Sequence, residues 1–365
     1  MQMQLGGDSM IENLMRDHLK DFKNYVIPEN NYKYVLNANE SPFNLFEDPD
    51  LKCKLLEAIK EYKTNIYPDG SSSILRSALS EYLKLGSDQI ICANGSDELI
   101  PMIFTAFLNP GEAVVSHYPS FDMYKISAQI AQGNFIGVED LESHKIDVEG
   151  IISAAKKNNA KLIFLCVPNN PTGHSIDKKD IIRIIEHSPG IVILDEAYVE
   201  FSDANCIDLI EKYENLIVLR TFSKAFGMAG LRVGYALGQK KMINILNKVK
   251  QPYNLNSMSQ LIASWAIENR APIIEKIKYL SNERDYLYEK LKGIPGITVY
   301  ESQSNFILIK VADGEKVNSA MLKNSVLLKY FDKKPMLENC FRITVTTRET
   351  NDLILEILKG VLEDA

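Results

Sequence analysis

The chain has 365 residues, 45% of them hydrophobic and 24% charged, which is ordinary globular composition with length for two domains. A net charge of -7 gives no attraction for nucleic acid or an anionic membrane, so a small-molecule substrate is expected. The start lacks a basic stretch followed by an apolar one, and no apolar run approaches the ~20 residues that cross a bilayer, which predicts a cytoplasmic protein.

Residues 2–7 carry no structural pattern, and Met10 is a candidate start. The segment up to residue 45 ends too early to join the sheet predicted next and is expected to pack with the C-terminal part. From about residue 87, short apolar runs alternate with helical patterns. Ile90 to Ala93, Ala113 to Ser116, Phe135 to Val138, Leu162 to Val167, Ile191 to Leu194 and Leu216 to Leu219 read as parallel strands. Amphipathic stretches such as Leu99 to Phe107, Val148 to Lys157 and Lys179 to His187 read as the crossovers between them. A seventh run, Val233 to Leu237, follows a Gly-rich loop with no helix, so an antiparallel return is predicted. The fold class is therefore α/β, with a mixed, mostly parallel seven-stranded sheet in a large domain over 46–245. Beyond it, long helices at Ser257 to Ile267 and Pro272 to Lys292 lead to strands at Ile297 to Tyr300, Phe306 to Val311 and Phe341 to Val345 and a last helix from Glu349. These define a smaller α+β domain over 246–365. Cys53, Cys92, Cys166, Cys206 and Cys340 form no CxxC pair and read as reduced, structural thiols.

In an open α/β sheet the ligand site lies beyond the carboxyl ends of the strands. The first run ends in Asn94-Gly95-Ser96-Asp97, where Ser96 or Asp97 can cap a helix whose free N–H groups make an anion site. Taken alone, this reads first as a plain helix cap. The fourth run ends in Pro168-Asn169-Asn170-Pro171-Thr172-Gly173, a rigid turn. The fifth ends in Asp195-Glu196-Ala197-Tyr198; a carboxylate at a central strand end needs a cationic partner, either a neighbouring loop or a pyridinium nitrogen. The sixth leads through Ser223 to Lys224, beside Phe222, Phe226 and Met228, where shielding lowers an amine's pKa and suits it to imine formation. Glycines beyond it allow Arg232 and Ser223 to reach a phosphate. A phosphate cradle, a carboxylate for a ring nitrogen, an Asn and a Tyr for a ring hydroxyl, and an amine for an aldehyde are what pyridoxal 5′-phosphate requires.

In order and spacing, Asn170-Pro171-Thr172-Gly173, Asp195-Glu196-Ala197-Tyr198 and Ser223-Lys224-Ala225-Phe226-Gly227-Met228-Ala229-Gly230-Leu231-Arg232 resemble the fold-type-I aminotransferases, and within them the histidinol-phosphate aminotransferase family. Leu36-Asn37-Ala38-Asn39-Glu40, Tyr67-Pro68-Asp69 with Leu75-Arg76, and Arg342-Ile343-Thr344-Val345 extend the likeness over residues 35–350. The resemblance implies that Lys224 holds the cofactor and moves the substrate proton, that Asp195 pairs with the ring nitrogen, and that Asn170 and Tyr198 bond the ring hydroxyl. It implies Ser96, Asp97, Ser223 and Arg232 around the cofactor phosphate, and Phe121, with Tyr118 as the other candidate, stacked on the ring. Tyr67 would reach the phosphate in a neighbouring subunit, which implies a homodimer. Arg342 would grip the substrate carboxylate. The implied reaction interconverts histidinol phosphate and 2-oxoglutarate with 3-(imidazol-4-yl)-2-oxopropyl phosphate and glutamate by a ping-pong route.

One position departs from the pattern. Thirteen residues before Arg342, where the family carries an arginine for the substrate phosphate, stands Lys329, which offers a point charge without the fork. An aromatic or broad amino-acid transaminase, or a threonine-phosphate decarboxylase, fits that residue as well. A nucleotide-dependent oxidoreductase would place GxGxxG at the first strand–helix turn, where this chain has only Asn94-Gly95-Ser96-Asp97. A binding protein without turnover is a further alternative, although every residue needed for the chemistry is present. No metal site is read from the sequence.

Overall fold

The computed structural model describes residues 10–20, 22 and 31–363; residues 2–7 and their patternless stretch lie outside it. Its strands are β1 (Tyr34–Leu36), β2 (Ile90–Asn94), β3 (Ala113–Tyr118), β4 (Asn134–Glu139), β5 (Leu162–Cys166), β6 (Ile191–Asp195), β7 (Leu216–Thr221), β8 (Val233–Gly238), β9 (Thr298–Val299), β10 (Phe306–Lys310), β11 (Val326–Phe331) and β12 (Cys340–Thr344).

Seven of them form one sheet in the order β2-β8-β7-β6-β5-β3-β4. β3, β4, β5, β6 and β7 pair in parallel, and β8 runs antiparallel to both β7 and β2. This is the mixed sheet with one reversed strand that the sequence predicts. Strands covered on both faces read as unbroken apolar runs: every residue of β5 and β7 is buried. β4 sits at the edge and has no buried residue, with Asn134, Gly137 and Glu139 exposed. The covering helices follow the 3.6-residue period. In the helix Lys178–His187, Ile181, Ile184 and Ile185 are buried, and Asp147 caps the helix Val148–Lys157 by accepting from Gly150 N at 2.9 Å.

The remaining strands form a second sheet, β1-β11-β12-β10-β9. Its surprise is the far edge, where β1, from the first forty residues, pairs in parallel with β11. The long helix Ala271–Lys292 and the last helix, Arg348–Glu363, accompany it, whereas Ser257–Glu268, expected from the sequence in the smaller domain, packs on the helices Ser73–Leu83 and Pro49–Ile59 and on β8 of the large sheet. Across β11 and β12 the register sets Lys329 directly opposite Arg342.

Below the carboxyl edge of the large sheet lies a buried ion pair. Arg220 donates through Nε and Nη2 to Glu196 Oε2 at 2.9 and 2.7 Å, and Cys206 N donates to Oε1 at 2.9 Å; both charged residues are at most 4% exposed. Arg220→Met would strand that carboxylate, so unfolding in urea should show a loss of about 3–5 kcal/mol. A loss under about 1 kcal/mol would contradict this role. Cys92, Cys166, Cys206 and Cys340 are buried free thiols, and Cys53 is exposed.

Candidate active site

Because β2, β5, β6 and β7 point the same way, Asn94, Cys166, Asp195 and Thr221 end at one edge of the sheet, together with Val233 at the start of β8. The sequence-predicted turns begin there.

Asp195 is 3% exposed. Its Oδ2 accepts from the Tyr124 hydroxyl at 2.6 Å and its Oδ1 from Ala197 N at 3.2 Å. Burial outweighs both hydrogen bonds and pushes its pKa up to about 6. Such a carboxylate gains from a cation brought to it. Tyr124, fully buried and stacked 4.8 Å from Phe164, is a residue the sequence reading passed over. Its signal was its place three residues after Phe121, in the first turn of the helix Met123–Ile130. Phe121 itself is half-buried and meets Tyr124 edge-on at 5.7 Å; Tyr118 is also half-buried.

Lys224 is half-buried and donates to the carbonyl of Ala38 at 2.7 Å. Phe222, Phe226 and Met228 around it in sequence are buried. Desolvation, with Arg342 second, lowers the Lys224 pKa to about 8. An ordinary lysine at that pH is neutral in about one molecule in 300, whereas here about half carry a free amine. The rate at which cofactor-free protein captures an aldehyde should therefore rise with pH through a midpoint near 8. A midpoint above about 10, the usual lysine range, would contradict the shift.

The segment Asn37 to Asn39 is the second feature whose role the sequence left unstated. Asn37 O accepts from Arg342 Nη2 at 2.5 Å, Ala38 O from Lys224, and Asn39 Nδ2 donates to the Tyr198 hydroxyl at 3.0 Å. Asn39 holds φ 56 and is 1% exposed; asparagine is among the residues that adopt this conformation most readily. Arg342 also donates to Asn170 Oδ1 at 2.5 Å and lies over the Phe306 ring, whose other neighbour is Tyr198 at 5.1 Å. Asn170, Tyr198, Arg342 and Lys224 are thus linked through one short stretch of chain.

The anion cradle is built by close approach. A Cβ on Gly234 would come within 2.4 Å of Ser96 N, and one on Gly95 within 2.8 Å of Arg232 Nη2, so only glycine allows β8, Arg232 and the helix Ser96–Phe107 to meet. The sequence placed the cap at Ser96 or Asp97. The structure corrects this: Gly95 is the cap residue, with no side-chain cap bond, and Ser96 is the first helical residue. Glycine stands there because φ is 78, a conformation that costs other side chains strain. Asp97 pairs with Arg232 at 2.6 Å; a carboxylate repels phosphate, so what Asp97 offers an anion is its backbone N–H. Ser223 Oγ accepts from the Thr221 hydroxyl at 3.0 Å.

Tyr67 is 77% exposed and stacked 4.5 Å from Tyr253. Lys329 lies opposite Arg342, and burial followed by Arg342 lowers its pKa. Among the described residues no cluster of metal ligands occurs and no helix is long and apolar enough to cross a membrane.

A glycine-built anion cradle, a buried carboxylate that lacks a cation, and an amine of lowered pKa match the phosphate, ring nitrogen and aldehyde of pyridoxal 5′-phosphate, and these features on this fold define a pyridoxal-phosphate-dependent aminotransferase. Residues 32–358 match the aminotransferase class I and II family, to which the chain belongs. It is 44% identical to the histidinol-phosphate aminotransferase of Thermoanaerobacter pseudethanolicus, over 97% of this chain and 100% of that one. Among solved structures, histidinol-phosphate aminotransferase from Sinorhizobium meliloti in complex with pyridoxal-5′-phosphate superposes with a TM-score of 0.86 at 22% identity, over 96% of this chain and 98% of that one. The enzyme of the same name from Clostridium acetobutylicum gives 0.83 at 26% identity, over 91% of this chain and 100% of that one.

Proposed function

We propose that the enzyme interconverts histidinol phosphate and 2-oxoglutarate with 3-(imidazol-4-yl)-2-oxopropyl phosphate and glutamate, the first product leaving before the second substrate binds. Relatives at 36–44% identity over nearly the whole chain carry that name. The observation in this chain that carries the reading is the Lys329–Arg342 pair. Like charges directly opposite on adjacent strands are unfavourable, and two such cations, of which Arg342 is bonded to Asn170, suit a substrate with an anionic tail.

Bound pyridoxal phosphate supplies an aldehyde and a ring that accepts the negative charge developing at the substrate Cα. Asp195, held by Tyr124, would keep the ring nitrogen protonated. Lys224, whose pKa burial lowers to about 8 in the cofactor-free chain, would supply the amine that holds the aldehyde and the base for the Cα proton. Asn170 and Tyr198 would orient the ring hydroxyl, and Phe121 would lie against the ring. Ser96, Asp97, Ser223 and Arg232 would hold the cofactor phosphate. Arg342 grips the carboxylate of glutamate, and with Lys329 the phosphate of the partner substrate.

We also propose a cytoplasmic homodimer in which Tyr67 reaches the neighbouring site. Its exposure, next to exposed Ile66, Ile74 and Tyr253, supports an apolar contact surface there. The proposed division is a cofactor-binding domain over 46–245 and a smaller one over 246–365 joined by the N-terminal segment; the pairing of β1 with β11 supports the last point, while the packing of Ser257–Glu268 on the large part argues for a later boundary.

Steady-state assays with histidinol phosphate, phenylalanine and threonine phosphate as alternatives test the substrate. Glutamate formed fastest from histidinol phosphate is expected. Faster turnover of phenylalanine, or carbon dioxide released from threonine phosphate, would replace this reading with a broad transaminase or a decarboxylase.

A further inference from the structure

One ion pair ties the two sheets together beside the Lys329–Arg342 pair. Lys334 Nζ lies 2.6 Å from Asp122 Oδ1. Asp122 follows Phe121 in the loop after β3, and Lys334 lies on the turn after β11. Lys329 and Lys334 flank the same ring, each with its ammonium 5.8 Å from the centre of Phe331. Arg342, Lys334 and Asp122 all act on the charge of Lys329, so the four groups share one electrostatic neighbourhood.

The two ends of the ion pair are held differently. Leu337 N donates to Lys334 O at 2.9 Å, and Leu337 is fully buried against Leu308, Phe331 and Cys340. The Lys334 side chain is 20% exposed, that of Asp122 55%. The cation is therefore seated on a pinned turn, while its carboxylate is largely wet and weakly committed, as exposed pairs are. Lys329, Lys334 and Arg342 set three cations against this one carboxylate. A carboxylate tail carries one charge, whereas a phosphate monoester carries close to two at neutral pH. Where Lys329 lacks the fork of an arginine, a second point charge is the means of matching a dianion.

We propose that Lys334 is a specificity-determining residue that binds the phosphate ester of the substrate together with Lys329, and that Asp122 is its counter-ion when the tail in the site is a carboxylate. The inference rests on the reading of a phosphate-ester substrate given above. A dianion takes the ammonium of Lys334 from Asp122; the carboxylate of glutamate, satisfied by Arg342 and Lys329, leaves the pair closed.

The test compares holoenzyme of the wild type with Lys334→Met, Lys334→Arg and Asp122→Asn, using histidinol phosphate and its unphosphorylated counterpart histidinol as amino donors. Lys334→Met should lower kcat/KM for histidinol phosphate on the order of tenfold, chiefly through KM. It should change the value for histidinol by less than about twofold, and Lys334→Arg should restore most of the loss. Asp122→Asn should lower the KM for histidinol phosphate. Equal losses on both donors, or no loss on either, overturn the proposal, and a KM raised by Asp122→Asn overturns the counter-ion role. A wild type inactive on histidinol phosphate but active on another donor would instead overturn the substrate reading and this inference with it. An active wild type with a flat Lys334→Met response overturns this inference alone.

Discussion

Replacing Lys224 by alanine is expected to lower kcat on the order of 10⁴-fold with either substrate, because one amine both captures the cofactor and carries the Cα proton. Asp195 and the cradle at Ser96 and Arg232 would still bind the cofactor, so the variant should retain it without linkage. The change should leave the fold standing: Lys224 is half-buried, and its ammonium donates to the Ala38 carbonyl, which water can reach in its place. Melting temperature and far-ultraviolet circular dichroism check that point. A small primary amine added to the variant should recover part of the rate by taking over the proton transfer, with recovery following the concentration of its neutral form. A loss of only about tenfold, far below the range for a removed acid–base group, would mean that another group moves the proton.

Asp195→Asn has the second-largest expected effect, and it has two signs. Asparagine cannot carry the charge that keeps the ring nitrogen protonated, and losing one member of a buried charge pair costs about 3–4 kcal/mol, which lowers kcat/KM about 10²–10³-fold. In the cofactor-free protein the same change should stabilise. The pKa of Asp195 is raised in the folded chain, to about 6, so the folded state binds a proton that the unfolded chain releases. Its contribution is fully present below the unfolded carboxylate value near 4 and is lost as pH rises through about 6. At pH 7 wild-type apoprotein therefore carries a penalty of about 3 kcal/mol that the variant lacks. Urea unfolding of both apoproteins at pH 4 and pH 7 should show the variant gaining at pH 7 only. A variant apoprotein less stable than wild type at pH 7 would mean that Asp195 already has a cationic partner in the folded chain.

The large sheet was legible because strands buried on both faces become unbroken apolar runs, and their endings locate the site without further information. Asn94, Cys166, Asp195 and Thr221 fall at one edge for that reason alone. The reversed β8 was legible from a missing helix. What stayed hidden depended on pairings remote in sequence. β1 is three residues long and gains its place from β11, almost three hundred residues later, and no local pattern marks so short a strand. For the same reason the carbonyls of Asn37 and Ala38 could not be assigned: a backbone oxygen carries no sequence signature, and their partners Arg342 and Lys224 come from distant elements. Tyr124 was hidden differently, as an aromatic residue on a helix face that ordinarily means core. It is core, and its hydroxyl happens to reach Asp195. The cap at Gly95 was misplaced because propensity favours serine and aspartate, while the φ of 78 at this position favours glycine.

The visible spectrum of the purified holoenzyme, recorded before and after glutamate and, in a separate sample, before and after histidinol phosphate, tests the central claim most directly. A yellow band that both amino donors bleach, that 2-oxoglutarate restores, and that in Lys224→Ala gives way to the absorption of the unlinked aldehyde is the predicted result. Protein that shows no such band even after pyridoxal phosphate is added, or whose band survives in Lys224→Ala unchanged, would contradict the account at its foundation.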